Sequence, residues 1–336
     1  MTRTGRGIVL GGALTITIMV LAGCQPDDAS SALDPRGIRA QRVADLWWVM
    51  FWLGTAVFVT VMAFLAYAVF RAWRRNATDA EPADRHANPF LIGSMTVTVL
   101  LVLVVLGFSL WTSRLLAEPD TTPALTVDVV GNQWWWEVRY PDADAVTANE
   151  IHIPAGEPVR IRLVSDDVIH SFWVPQLSGK LDLLPGITNE FWLEADEPGA
   201  YRGECAEFCG IQHAHMAFLV VAEPREMFDD WLARQAEPVA LTTDPLLERG
   251  QDVFLTAGCA TCHTVRGTAA SGQLGPDLTH FGSRESIAAG MLETNLGNLM
   301  GWIADPQAIK PGNKMPRLPL SPTELEAVAA YLLSLD

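Results

Sequence analysis

The chain has 336 residues, 49% of them hydrophobic, and 23 basic residues against 39 acidic ones, for a formal net charge of −16. So acidic a chain is repelled by nucleic acid and presents either a plain soluble acidic face or a docking surface for a basic protein. The length allows two or three folding units, and five cysteines, an odd number, cannot all be paired with one another.

At the N-terminus, Arg3 and Arg6 precede an uncharged stretch from Gly7 to Gly23, the pattern of a secretory signal. Its end, Leu21-Ala22-Gly23-Cys24, resembles a bacterial lipobox, in which the cysteine is lipidated and becomes the mature N-terminus. The competing reading is an uncleaved signal anchor with an idle thiol. Trp47 to Phe70 and Pro89 to Ser113 are both free of charge, and each exceeds the roughly 20 residues that cross a bilayer. Arg71, Arg74, Arg75 and Arg85 between them fit a cytoplasmic loop, although Arg36, Arg39 and Arg42 on the other side make the bias mild. A lipidated Cys24 faces outward, so the hairpin begins and ends outside. Trp47, Trp48, Trp73 and Trp111 fall near the segment ends, where indole rings favour the membrane interface.

After Arg114 the pattern changes to short β-rich runs: Leu125 to Val130, Trp134 to Tyr140, Pro158 to Val164, Ile169 to Val174, Asn189 to Leu193 and Ala217 to Val221. Turn signals at Pro154-Ala155-Gly156, Leu184-Pro185-Gly186 and Glu197-Pro198-Gly199 separate them. Many short strands in about 100 residues predict an all-β sandwich or barrel.

Within this region Cys205, Cys209, His213 and Met216 fall in one run, CAEFCGIQHAHM. Thiolate, imidazole and thioether together select copper or another thiophilic metal, and a methionine in such a set points to electron transfer. The bland alternative is a disulfide, since an exported domain meets an oxidising compartment. The run resembles the binuclear copper (CuA) loop of cytochrome c oxidase subunit II. That resemblance implies Cys205 and Cys209 as bridging thiolates, His213 as a ligand, Met216 as the axial ligand and the Glu207 carbonyl as a donor. The family's upstream histidine lies in a D-V-x-H-S-F pattern, matched here by Asp167 to Phe172, so His170 takes that role; His215 matches no ligand. The resemblance also implies that the Glu207 carboxylate helps hold magnesium at the interface with the catalytic subunit, and that the fold is a cupredoxin-like Greek-key barrel. Gly131-Asn132-Gln133-Trp134-Trp135-Trp136 resembles the family's aromatic patch, whose first tryptophan, here Trp134, takes electrons from an external donor; Trp135 and Trp136 read as core.

Pro224 to Ala236 predicts a short helix, and Glu237-Pro238 opens a linker. Asp244 to Thr256 and Pro322 to Leu335 are helical by spacing, the latter through Leu325, Val328, Tyr331 and Leu332. Between them, Cys259-Ala260-Thr261-Cys262-His263 is the attachment signature of a c-type haem, with His263 as the proximal iron ligand. A thioredoxin-like C-x-x-C is the alternative, at odds with the following histidine and with the missing βαβ pattern. Gly275-Pro276-Asp277-Leu278 and Lys314-Met315-Pro316 resemble the proximal segment and the distal methionine turn of small cytochromes c. Met315 is then the second axial ligand, with Met291 and Met300 as rivals. Small cytochromes c cross their first and last helices, which makes Phe254 and Tyr331 expected partners; His280 reads as a surface or loop residue.

Taken together the chain resembles a caa-type subunit II: signal (1–23), outer segment (24–45), transmembrane hairpin (46–113), copper domain (114–236) and an all-α class I cytochrome c domain (237–336). The resemblance implies a plasma-membrane subunit with both metal domains on the outer face, carrying two copper ions and one covalent haem c. It would pass electrons from a cytochrome c to a catalytic haem-copper subunit that reduces oxygen and translocates protons, with no oxygen chemistry of its own. One position departs from the family: Ile92 stands where the second span usually has a glutamate linked to proton uptake. A copper-dependent nitric oxide reductase therefore stays open as the alternative. A quinol oxidase subunit lacks the copper ligands, and a copper-delivery chaperone with Cys-x3-Cys would carry no fused haem.

Overall fold

The computed structural model describes residues 30–74, 87–117, 119, 122–240 and 242–336. The signal, Cys24, Arg75 and Arg85 lie outside the described residues. Two long helices come first, α1 (Ile38–Arg74) and α2 (Ala87–Ala117), and both are long and apolar enough to cross a membrane. Their large apolar side chains, from Phe58 and Phe64 to Leu100 and Leu106, are exposed, as lipid or partner helices require. α1 begins nine residues before Trp47, and the early turns are not free. Arg36 N donates to Gln176 O (2.7 Å), Ala40 N donates to Leu177 O (3.2 Å), and Ala40 and Ala44 are buried. The first span is thus tied to the β domain at its outer end, which the charged residues before Trp47 did not disclose.

The β domain is two five-stranded sheets, β3-β2-β1-β5-β8 and β4-β10-β9-β6-β7. In chain order the strands are β1 (Leu125–Asn132), β2 (Trp135–Tyr140), β3 (Ala145–Ala148), β4 (Glu150–Pro154) and β5 (Val159–Ser165). β6 (His170–Trp173), β7 (Leu181–Leu183), β8 (Asn189–Leu193), β9 (Gly199–Cys205) and β10 (Ala217–Glu223) follow. Strand β1 runs parallel to β5 and β10 parallel to β4, the other pairs being antiparallel. Alternating side chains point inward: Val127 and Val129 from β1, Ile161 and Leu163 from β5, Phe218 and Val220 from β10, all fully or nearly fully buried. Trp136 is completely buried, in edge contact with Phe172 and Phe218. Gly203 of β9 sits beneath the Phe218 ring, where a Cβ would come within 2.2 Å of it. Helix α3 (Arg225–Ala236) closes the domain, with Trp231 stacked on His152 at 3.9 Å.

The last third is helical. Helix α4 (Pro245–Thr256), capped by Asp244, crosses α7 (Pro322–Leu333), capped by Ser321 in a reciprocal capping box with Glu324. Between them lie the two-residue strands β11 (Ser286–Ile287) and β12 (Leu292–Glu293), then α5 (Leu296–Ala304) and the short α6 (Pro306–Ile309). The Phe254 and Tyr331 rings meet at 6.0 Å, as the helix crossing predicts. The crossing itself is made possible by Gly250, where a Cβ would lie 2.1 Å from the Ala327 carbonyl oxygen. His280 departs from expectation. It lies in a loop but is buried, with Nδ1 2.8 Å from Asp336 O and Nε2 2.9 Å from Glu237 O, tying the linker to the chain's last residue.

Candidate metal centres

The copper-type donors come from one strand start, one strand end and the loop between β9 and β10. His170 opens β6 and Cys205 closes β9, and the two strands pair so that both side chains are buried together. Cys209 follows on the loop, His213 sits on a single 3-10 turn, and Met216 is buried just before β10. Cys205 Sγ and Cys209 Sγ are 3.8 Å apart. His170 Nδ1 lies 3.9 Å from Cys205 Sγ, and the Glu207 carbonyl oxygen 3.2 Å from it. His213 Nδ1 and Met216 Sδ each lie 3.8 Å from Cys209 Sγ. The pair is not a disulfide; all four described cysteines are free thiols. Each sulfur thus has its own imidazole, with a carbonyl beside one and a thioether beside the other. This soft donor set fits copper and disfavours hard cations.

Asp167 prepares the first imidazole. Its Oδ1 is 2.9 Å from His170 Nε2, which leaves Nδ1 turned to Cys205. The same carboxylate accepts from the backbone N–H of Gln133 (2.8 Å) and Val168 (2.7 Å). Burial works to raise Asp167's pKa, but the hydrogen bond to His170 and those from the two backbone amides hold it below its usual value. His170 shows the complement: burial favours the neutral ring, yet its bonds to Cys205 and Asp167 outweigh that and raise it. The Cys209 thiol beside it holds Cys205 well below the usual thiol pKa, and the same contact with burial pushes Cys209 up.

Trp134 lies directly against this loop. Its Nε1 donates to Cys209 O at 3.1 Å, and Gln133 Nε2 donates to the same oxygen at 2.8 Å. Gly210 makes room for it; a Cβ there would be 2.9 Å from the indole. Trp135 is half-buried and Trp136 is core. His215 is exposed and pairs with Gln212 Oε1 at 2.8 Å. The Glu207 side chain is exposed on the loop. Beside the ligands, an open depression is lined by Trp173, Lys180, Glu204 and His213.

In the helical domain Cys259, Cys262 and His263 share one turn, with His263 N donating to Cys259 O at 3.0 Å. His263 Nδ1 is 2.8 Å from Pro276 O, which fixes the tautomer and leaves Nε2 open toward an iron. Burial lowers the His263 pKa, which keeps the ring neutral as a ligand must be. At Gly275 a Cβ would press on His263 Cε1 at 2.7 Å, so this glycine lets the proximal segment lie flat against the ring. Met315 is partly buried against the domain's core; its N–H donates to Asn313 Oδ1 (2.8 Å), and Gln307 Nε2 donates to its carbonyl (3.0 Å). Met300 also packs against that core. Two free thiols, a neutral histidine with an open Nε2 and a braced methionine loop fit a covalently bound haem.

Sequence comparison matches both domains to known families. The family described as "Cytochrome C oxidase subunit II, periplasmic domain" matches residues 145–223, and "Cytochrome c" matches residues 247–336. Cytochrome c oxidase subunit 2 of Alkalihalophilus pseudofirmus is 39% identical over 330 residues, covering 96% of this chain and 95% of that protein. The Bacillus subtilis protein of the same name is 33% identical over 348 residues, covering 96% of each. Among solved structures, the periplasmic domain of subunit II of cytochrome oxidase of Bradyrhizobium japonicum is 28% identical over 35% of this chain and 96% of that one, with a TM-score of 0.34.

Proposed function

The chain belongs to the cytochrome c oxidase subunit II family, in the form that carries a fused cytochrome c domain, and from that membership we propose that it is the electron-relay subunit of a respiratory terminal oxidase. As a member it is part of a haem-copper oxidase complex, uses copper and haem c, and associates with the other oxidase subunits. With its two spans it is a membrane protein bearing an outer-face domain. The finer assignments are ours. His170, Cys205, Cys209, His213, Met216 and the Glu207 carbonyl hold two copper ions; Cys259, Cys262, His263 and Met315 hold the haem.

When bound, these groups supply one-electron chemistry, carrying electrons from a cytochrome c donor by way of haem and copper to the catalytic subunit, where oxygen is reduced to water and protons are moved. The protein's own part is to hold the ligands still. Asp167 keeps His170 Nδ1 aimed at the sulfurs, and Pro276 O, by engaging His263 Nδ1, leaves His263 Nε2 as the ligand nitrogen. The paired strands β6 and β9 fix His170 against Cys205, so little rearrangement accompanies a change of charge. Trp134, hydrogen-bonded to the Cys209 carbonyl, is where electrons enter the copper centre. The exposed Glu207 carboxylate supports magnesium at the catalytic subunit's interface. Cys24 is the lipidation site behind a signal at 1–23, followed by the outer segment 24–45, the hairpin 46–113, the copper domain 114–236 and the haem domain 237–336.

The observation that carries this reading is the convergence of two thiols 3.8 Å apart with their own imidazole, thioether and carbonyl neighbours. Cys209→Ser in the intact complex tests it. Copper should be lost and oxygen uptake should stop, while the haem stays attached and is still reduced by cytochrome c. Oxygen uptake at the parent rate would count against the relay. One residue favours a second reading. Ile92, exposed on α2, stands where the family's proton-linked glutamate is expected, which leaves a copper-dependent nitric oxide reductase open as the alternative.

A further inference from the structure

Lys310 ends α6 in the haem domain and is only 3% exposed. Its Nζ donates to three carbonyl oxygens: Trp134 O at 2.8 Å, His215 O at 2.7 Å and Ala288 O at 3.0 Å. That is one acceptor for each ammonium proton, and two of the three belong to the copper domain. An ammonium taken out of water persists only where such partners replace its hydration. The residues that follow it lie on the copper loop in sequence. Gln212 Nε2 donates to Pro311 O at 2.7 Å; Gly312 sits so close to Ile211 that a Cβ would be 2.3 Å from its Cδ1; Lys314 Nζ is 3.5 Å from Asp167 Oδ2. Met315 is the next residue.

A second corner of the same interface repeats the arrangement with the opposite sign. Glu150 of β4, 2% exposed, accepts the backbone N–H groups of Glu285 (2.8 Å) and Ser286 (3.1 Å) through Oε1. Each domain therefore inserts one buried ionisable side chain into the backbone of the other. Buried polar insertions of this kind fix register more than they add stability, because any displaced docking leaves them without partners. The register fixed here sets the Met315 loop on the Cys209–Met216 loop, with Trp134 between the two.

We propose that Lys310 is a positioning residue for electron transfer within the chain, clamping the Met315 loop onto the copper loop so that Trp134 takes its electrons from this chain's own haem domain and not from an external donor. This deepens the relay described above and rests on it. An external cytochrome c then delivers to the haem domain alone, and the linker beginning at Glu237 does not set the distance between the centres.

The test uses the complex purified through this chain, with Lys310→Met, and Glu150→Ala at the other corner. Stopped-flow reduction by cytochrome c follows the haem and the copper separately, and backbone hydrogen exchange follows residues 210–215, 285–286 and 310–315. The expected result is an unchanged rate from donor to haem and unchanged midpoint potentials. Transfer from haem to copper should slow severalfold, because an undocked haem domain lengthens the distance the electron must cross, and the three segments should lose protection together. Transfer and protection both at parent values in the two variants would overturn the clamp. So would slowed transfer with intact protection and a shifted haem potential, which would mean that Lys310 acts through Met315's ligation. If Lys310→Met fails to load haem, Glu150→Ala, whose change lies in the copper domain, gives the same readouts. Failure of the underlying relay looks different: in the parent itself, copper would be reduced no later than the haem.

Discussion

Replacing Asp167 by asparagine tests how the copper site is held without touching a ligand. The carboxylate meets four groups: His170 Nε2 at 2.9 Å and Val168 N at 2.7 Å through Oδ1, and Gln133 N at 2.8 Å and the exposed Lys314 Nζ at 3.5 Å through Oδ2. An asparagine of the same shape keeps one acceptor oxygen and gains an NH2. If the oxygen stays on His170, the NH2 confronts the Gln133 N–H, donor against donor, at a cost of about 1–3 kcal/mol for the unsatisfied buried group. If it turns to Gln133, the NH2 faces His170 Nε2, which must then accept; the proton moves to Nδ1 and blocks the nitrogen aimed at Cys205. Either arrangement weakens the imidazole as a ligand. Changes to such outer partners lower metal affinity by about 10- to 100-fold, roughly 1.4–2.7 kcal/mol. Competition for copper against a chelator, with metal counted per haem in the purified complex, measures the difference. Copper held by the asparagine variant as tightly as by the parent would refute the reasoning.

Three further changes probe the framework. Gly250→Ala should force α4 and α7 apart, because the new Cβ would meet the Ala327 carbonyl at 2.1 Å and Tyr331 Cβ at 2.6 Å; overpacking of this kind costs about 1–3 kcal/mol or more. A haem-domain melting temperature equal to the parent's would rule out that close crossing. Tyr140→Phe removes a hydroxyl that accepts from His152 N at 2.7 Å and donates to His152 O at 2.9 Å. Denaturant unfolding of the copper domain should show a loss of about 1–3 kcal/mol, since a buried N–H is left without its partner; no loss would mean that water or a shifted strand replaces it. Cys259→Ser with Cys262→Ser should leave copper in place while haem becomes extractable under denaturing conditions. Haem that stays covalently bound would contradict the attachment assignment.

Much of the site was legible because it is local. Cys205 to Met216 and Cys259 to His263 each lie within one loop or turn, so ligand type and spacing show directly in the chain. His170 is distant in sequence and was reached only through the match of Asp167 to Phe172. The spans and six strands were legible from uninterrupted apolar runs and from alternation. β3, β4, β7 and β9 were not. β7 has three residues, and β9 alternates Tyr201, Gly203 and Cys205 inward with Arg202 and Glu204 outward, so its inward face carries a glycine where an apolar side chain would have marked it. Nothing in the sequence marks Gly250 as a contact point; the Ala327 carbonyl beside it comes from a helix far away in the chain. The contact between the two metal domains was hidden for a different reason. Lys310 and Glu150 are charged, and charged residues are read as solvated; only tertiary structure shows the backbone groups of the other domain that surround them.

The central claim is that this chain carries electrons to an oxygen-reducing partner, and one measurement addresses it most directly. The complex purified through this chain from its native membrane is supplied with reduced cytochrome c, and oxygen and nitric oxide consumption are followed separately. Fast oxygen uptake with little nitric oxide consumption is the expected result, and it would make Ile92 a variation in the route of proton uptake. Nitric oxide consumption with negligible oxygen uptake would contradict the oxidase reading and move the chain to the reductase class, with both metal-site assignments standing.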